Sequence, residues 1–188
     1  TDPKEIEGVN IHFDLNFNDN NYRKIRNSFL MSNVEIRNAG QPKKYKYAIY
    51  INSNVIEWKK DYFIFRDNVI NGSFNNGIVL NSANNIEING NIFYNIAGHG
   101  IYLEKGIEIY NKFISNVFIL LKNMDYLKSY ELATGIYIKN AHNEIENNRV
   151  IAADNGFMFI FYYDFLNIFK FDIKKIISFK NNIAHHNN

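Results

Sequence analysis

The sequence predicts an all-β fold wound as a solenoid of about six or seven turns, a parallel β-helix, over a single domain of 188 residues. Three observations predict it: a recurring asparagine, a glycine-opened strand that follows it, and period-2 alternation with no 3.6-residue apolar period.

The asparagine is followed two residues later by an apolar residue, at Asn27/Phe29, Asn68/Ile70, Asn91/Phe93, Asn116/Phe118, Asn148/Val150 and Asn181/Ile183. Four of these lead to a strand opened by glycine: "GIVL" at Gly77, "GIYL" at Gly100, "GIYI" at Gly135 and "GFMF" at Gly156. The asparagine-to-glycine distance is 9, 9, 19 and 8 residues, so a repeat of 23 to 25 residues carries one insertion, placed at about 120–133 in "LLKNMDYLKSYELA". Each unit holds two or three short strands with Asn and Gly corners, as in "NNIEINGNIFYN". Parallel strands joined by so few residues must coil so that each turn pairs with the next.

Alternation then sends Ile78 and Leu80, Ile101 and Leu103, Ile136 and Ile138, and Phe157 and Phe159 into the core. Corner asparagines are expected to stack as ladders and to tolerate left-handed backbone. "SFLMSNVEIRNAG" and "YAIYIN" read as strands separated by the loop "QPKKYK", while residues 1–22 form an irregular N-terminal segment with no assignment. Within the aromatic C-terminal segment, 157–188, the stretch 157–171 is expected to supply a cover for the end of the solenoid or an interface with the parent chain or a partner.

The 21 basic and 19 acidic residues are scattered rather than gathered in a stripe, which speaks against nucleic acid as a partner. Absence of cysteine removes disulfides, thiolate metal sites and cysteine catalysis. The most apolar run, "GFMFIFYYDFLNIFKF", is broken by Asp164 and Lys170, so no transmembrane segment is expected. The opening "TDPKEIEG" carries no apolar signal and reads as the start of a mature fragment or an excised domain.

Chemistry-bearing residues concentrate in "GHGIYLEKGIEIYN", residues 98–111. Stacking the units places Glu104 with Asn81 and Lys139, predicting a surface ion pair, and His99 with Asn76, Thr134 and Asn155, a polar corner. Tyr102 and Tyr137 share the outward column of Val79 and Met158, where exposed aromatics can stack on sugar rings or simply pack on the surface. Glu108 fits no column: 13 residues separate Leu103 from Asn116 where 11 separate Leu80 from Asn91, so "KGIE" is a two-residue bulge. His99 is a candidate general acid or base, and Glu104 with Glu108 a carboxylate pair for glycoside hydrolysis or for calcium. Lys105 between the two favours their charged forms and opposes the acid role. Lys105 and Lys139 join Tyr102 and Tyr137 as candidate ligand-binding residues, and "NGS" makes Asn71 a glycosylation candidate.

"VEIRNAGQ", "GHGIYLEKGIE" and "ATGIYIKNAHNEIENNRVIAADNGFMFIFYYDF" resemble the right-handed β-helix region of fibrocystin-like proteins and of the related cell-surface and secreted hyaluronan-degrading proteins, over roughly residues 28 to 165. The resemblance implies a right-handed, pectin-lyase-like solenoid in an extracellular or cell-surface protein of larger size, with a glycan or protein partner. It departs from the family at Lys105, where an acidic residue is usual, and at Tyr50 and Asn52, where histidines are expected. Two readings follow: a non-catalytic interaction module needing no cofactor, or a hyaluronan-type glycan depolymerase using His99, Glu104 and Glu108, with calcium as its ion.

Overall fold

A computed structural model of the chain describes residues 8–15, 28–42, 45–53, 62–124, 132–160 and 178–186. Among these residues every regular element is a β-strand, and the strands form three parallel sheets of six. Sheet 1 contains β1 (Ile11–Leu15), β4 (Ile49–Ser53), β7 (Ile78–Asn81), β10 (Ile101–Leu103), β13 (Thr134–Ile138) and β16 (Asn155–Phe159). Sheet 2 contains β2 (Ser28–Ser32), β5 (Tyr62–Arg66), β8 (Ile86–Asn89), β11 (Lys112–Ile114), β14 (Glu144–Glu146) and β17 (Ser178–Lys180). Sheet 3 contains β3 (Glu35–Arg37), β6 (Val69–Asn71), β9 (Ile92–Ala97), β12 (Val117–Lys122), β15 (Arg149–Ile151) and β18 (Ile183–His185). The chain visits the sheets in rotation and each strand pairs three elements later, which makes six turns of a right-handed parallel β-helix. No helix among the described residues is long and apolar enough to cross a membrane.

The core is a set of stacked inward columns. Ile49, Ile78, Ile101 and Ile136 lie in register in sheet 1, each 1% exposed or less. Ile70, Phe93, Phe118 and Val150 do the same in sheet 3, with the two phenylalanine rings stacked at 4.6 Å and 20°. Burying each such side chain contributes about 1.5–3 kcal/mol, so these columns dominate the stabilisation. Phe157 and Phe159 point inward as expected, but in the last strand of sheet 1 Phe159 remains 37% exposed.

The glycines that open sheet 1 strands are needed for a close approach. A Cβ on Gly100 would run into the ring of Phe118 and lie 2.6 Å from the carbonyl oxygen of Gly135. The bend from sheet 3 to sheet 1 is tight enough there that only a hydrogen fits.

Asparagine does the work at the bend from sheet 2 to sheet 3. The side chains of Asn68, Asn91, Asn116 and Asn148 form a buried ladder in which the Oδ1 of Asn91, Asn116 and Asn148 each accepts the main-chain N–H and the amide of the preceding rung, at 2.9–3.0 Å. Two expectations are corrected. The ladder ends on Asn182, not Asn181, because Asn182 Oδ1 accepts from Asn148 and Ala184 stacks on Val150. It also begins at Val34 rather than Asn27: Val34 N–H donates to Asn68 Oδ1, whereas Phe29 stacks on Phe63 in sheet 2. Asn27 itself lies outside the described residues.

The same bend separates two duties that the sequence assigns to one asparagine. Left-handed backbone falls on the residue before each rung, Asn33, Asp67, Gly90, Ser115, Asn147 and Asn181, with φ between 53° and 68°. A second left-handed column, Asn38, Gly72, Asn95, Leu120, Ala152 and His186, bends the chain along sheet 3, inside β9 and β12 at Asn95 and Leu120. Leu120 is the misfit there, since a left-handed leucine carries a cost of about 1–2 kcal/mol. Leu120→Asn is expected to raise stability by about 0.5–1 kcal/mol, read from the urea midpoint, and an unchanged or lower midpoint would contradict the strain argument.

Of the unassigned segment 1–22, residues 11–15 form β1 in register with β4. Within 120–133, β12 runs through Lys122 and Met124 is buried, while residues 125–131 lie outside the described residues. Most of the aromatic stretch 157–171 also lies outside them, and β17 and β18 complete the sixth turn.

Candidate functional site

The outward face of sheet 1 gathers most of the residues singled out in 98–111. One outward column runs His12, Tyr50, Val79, Tyr102, Tyr137, Met158, and the next runs Asp14, Asn52, Asn81, Glu104, Lys139. Parallel strands about 4.8 Å apart let each side chain reach its neighbour one turn away.

Glu104 is half-buried, and its carboxylate is held from the N-terminal side. Oε2 accepts from Asn81 Nδ2 at 2.7 Å and from the Tyr50 hydroxyl at 3.3 Å, and Asn81 Nδ2 also donates to Tyr50 at 2.7 Å. The expected Glu104–Lys139 ion pair is replaced. Lys139 Nζ donates to the Tyr102 hydroxyl at 2.6 Å and to the Glu104 main-chain oxygen at 3.1 Å, so the lysine meets the backbone of Glu104 rather than its carboxylate. The same ammonium lies 4.6 Å from the Tyr102 ring centroid, a cation–π contact. Burial, with the Glu104 charge second, raises the Tyr50 hydroxyl above its ordinary pKa, so this phenol stays protonated.

Tyr137 is not the exposed aromatic that its outward position suggests, being only 1% exposed, whereas Tyr102 is half-buried. His99, at the corner, packs its ring against both. Its centroid lies 5.1 Å from Tyr102 with a 16° interplanar angle and 4.8 Å from Tyr137. His99 is 1% exposed, its main-chain N–H donates to Asn76 Oδ1 at 2.8 Å, and its ring Nδ1 is buried without a partner. Burial first, and the Lys139 charge second, lower its pKa to about 3. At neutral pH its imidazole is uncharged and packs as an aromatic ring.

Glu108 has a reason for its odd register. The bulge turns the carboxylate inward, where Oε1 accepts from Ser82 N at 2.7 Å and Lys105 N at 3.0 Å, and Oε2 from Gly106 N at 2.7 Å. Gly106, at φ +84°, supplies the left-handed residue that aims its N–H back at the side chain. Burial raises the Glu108 carboxyl above its ordinary value, opposed by these N–H groups. The side chain is fully buried, so it staples the turn on which Glu104 and Lys105 sit. Glu104 and Glu108 are therefore in different environments, one on the face and one under it. Lys105 is exposed and contributes only its main-chain N–H to the bulge.

A second asparagine ladder supports this unit from below and was missed in the sequence. Asn111 Oδ1 accepts from Ile86 N at 2.9 Å, and Asn143 Oδ1 accepts from Asn111 N at 3.0 Å. Its spacing of 32 residues across the insertion, rather than 25, hides it from a search for a fixed repeat. Among the described residues no three His, Asp or Glu side chains converge as a metal site. Asn71 is half-buried with its amide donating to Glu35 at 3.1 Å, and the sequon's Ser73 is buried with its hydroxyl bonded to Asn75 O at 2.6 Å.

The model of the CEMIP beta-helix family matches residues 21–134, more than half of the chain. Fibrocystin of Canis lupus familiaris is 31% identical over 147 residues, which is 64% of this chain and 3% of that protein. The chain thus spans a small fraction of the length of the curated relative it matches. No solved structure matches. Repeat register, the "GHGIYLEKGIE" turn and this family match agree, and the chain belongs to the CEMIP beta-helix family.

Proposed function

We propose that this chain is a non-catalytic module of a larger extracellular or cell-surface protein, and that it holds a glycan or protein partner on the outward face of sheet 1. The observation that carries the reading is the Tyr50–Asn81–Glu104 group beside Tyr102 and Lys139. Both named bonds to the Glu104 carboxylate fall on Oε2, which leaves Oε1 as an acceptor for a ligand hydroxyl, next to the half-buried ring of Tyr102. Aromatic surface with oriented carboxylate and amide groups is the chemistry that sugar rings need. Hydrolysis by two carboxylates needs both within reach of one glycosidic bond, and the oxygens of Glu108 are occupied by three main-chain N–H groups.

The test is a titration of the chain with hyaluronan and other acidic and neutral polysaccharides, followed by sizing of the polymer. Binding without shortening is expected, with Glu104→Gln or Tyr102→Ala weakening it by about tenfold or more. Glu108→Gln is expected to leave affinity unchanged and lower stability by about 1–3 kcal/mol, because the new amide turns a donor toward the Gly106 N–H. Shortening of hyaluronan by the wild-type chain, lost in Glu104→Gln, would replace this reading with that of a glycan depolymerase.

A further inference from the structure

Asn71 is the only asparagine in the sequence that opens an N-glycosylation acceptor, "NGS". Its neighbours in sequence serve the bends: Asn68 is a ladder rung, and Asn75 and Asn76 are buried at a corner. Asn71 instead ends β6 on the outward side of sheet 3, because Ile70 is the residue of that strand that faces the core. A side-chain amide nitrogen carries two hydrogens, and Asn71 Nδ2 donates one to Glu35 Oε1 at 3.1 Å on the surface. The second can be exchanged for a bond to a sugar with that contact kept.

What a sugar on Asn71 would meet is set by the register. One turn on stands Tyr94, 41% exposed, followed in the same outward column by Ile119 and Ile151, with Ile92 and Val117 alongside. One turn back stands Arg37, held to Glu35 at 2.6 Å, so the apolar direction from Asn71 is toward Tyr94. Turns about 4.8 Å apart bring the tyrosine ring within reach of the first sugar, whose C–H face can stack on it. We propose that Asn71 carries an N-linked glycan, laid along sheet 3 as the cover of this apolar strip. In the transfer Asn71 Nδ2 loses a proton and bonds to C1 of the first sugar of a polyprenyl-diphosphate-linked oligosaccharide. The bond from C1 to the diphosphate oxygen breaks and polyprenyl diphosphate leaves. The proposal rests on the extracellular or cell-surface reading above, since such donors meet chains entering the secretory route. Ser73 fixes the order of events: it is 2% exposed, its hydroxyl donates to Asn75 O at 2.6 Å, and Gly72 N–H donates to Tyr94 O at 2.9 Å. A transferase that must reach this hydroxyl acts before the turn closes.

Translation of the chain, behind an added signal segment, into microsomes that hold the donor tests the proposal, with mass spectrometry before and after peptide N-glycosidase. One glycan at Asn71 is expected, and none in Asn71→Gln or in bacterially made chain that is folded before it meets the same microsomes. Chain secreted with its glycan is expected to unfold at a higher urea concentration than the bacterial chain, and Tyr94→Ala to abolish the difference. Tyr94 is exposed, and circular dichroism establishes that the variant remains folded. No glycan at Asn71, modification of the folded chain as readily as of the nascent one, no urea shift, or a shift that survives Tyr94→Ala would overturn it. Polysaccharide titration of the bacterial chain reads sheet 1 without any glycan on sheet 3, so failure of this proposal and failure of the function proposed above are told apart.

Discussion

Replacing Asn116 with alanine is expected to lower the unfolding free energy by about 3–5 kcal/mol, more than most core truncations of similar size. Asn116 is fully buried at the middle of the ladder. Its Oδ1 accepts from Asn91 N and Nδ2, both at 3.0 Å, and its Nδ2 donates to Ile88 O at 2.8 Å and Asn148 Oδ1 at 3.0 Å. Alanine leaves the Asn91 N–H and the Ile88 carbonyl without these bonds, in a site with no room for bulk water. The Asn91 amide keeps Phe65 O and Asn89 O, and Asn148 Oδ1 keeps the Asn116 N–H, so the full sum of four bonds is not lost. Asn116→Asp should be at least as damaging, since it sets a buried oxygen against Ile88 O and Asn148 Oδ1. Asn182→Ala, at the half-buried last rung, should cost much less. Urea unfolding followed by far-UV circular dichroism decides it, and a loss below about 1 kcal/mol for Asn116→Ala would refute the ladder's role.

Acid is expected to destabilise the fold through His99. Its folded pKa of about 3 lies below the ordinary 6.5, so between these values the unfolded chain takes up a proton that the folded chain refuses. The stabilisation is complete above pH 6.5 and is lost as pH falls toward 3, at roughly 1.4 kcal/mol per unit, or about 3 kcal/mol between pH 7 and pH 4. Burial is the main cause, and Lys139 adds a like charge beside the imidazole. His99→Phe keeps a ring against Tyr102 and Tyr137, deletes the unpartnered Nδ1, and should flatten this part of the stability–pH curve. Glu35 and Glu146, whose pKa values are lowered by hydrogen bonds to Arg37 and Ser178, titrate alike in both proteins and cancel in the comparison. Identical slopes for wild type and His99→Phe would show that His99 is not the sensor.

Much of this protein is legible in its sequence because a solenoid repeats its physics. Gly77, Gly100 and Gly135 mark one bend, Asn68, Asn91, Asn116 and Asn148 another, and strict alternation between them sets which side chains face the core. Register can therefore be counted along the chain, and the count puts Tyr102 in one column with Val79 and Tyr137, as the strand pairing does. Counting failed where one asparagine follows another. Asn181 and Asn182 are indistinguishable in sequence, and only the hydrogen bond from Asn148 decides which is the rung and which takes the left-handed bend.

The sequence by itself determined the strand period and the column to which most outward residues belong, because these follow from local alternation and spacing. Tertiary structure alone decided what those residues do there. Side-chain direction within a column let Asn81 and Tyr50, rather than Lys139, take the Glu104 carboxylate. The two-residue bulge turned Glu108 inward onto three N–H groups that lie 2, 3 and 26 residues away. Burial, a sum over neighbours from several turns, made His99 neutral and hid Tyr137. No count along the chain carries that sum.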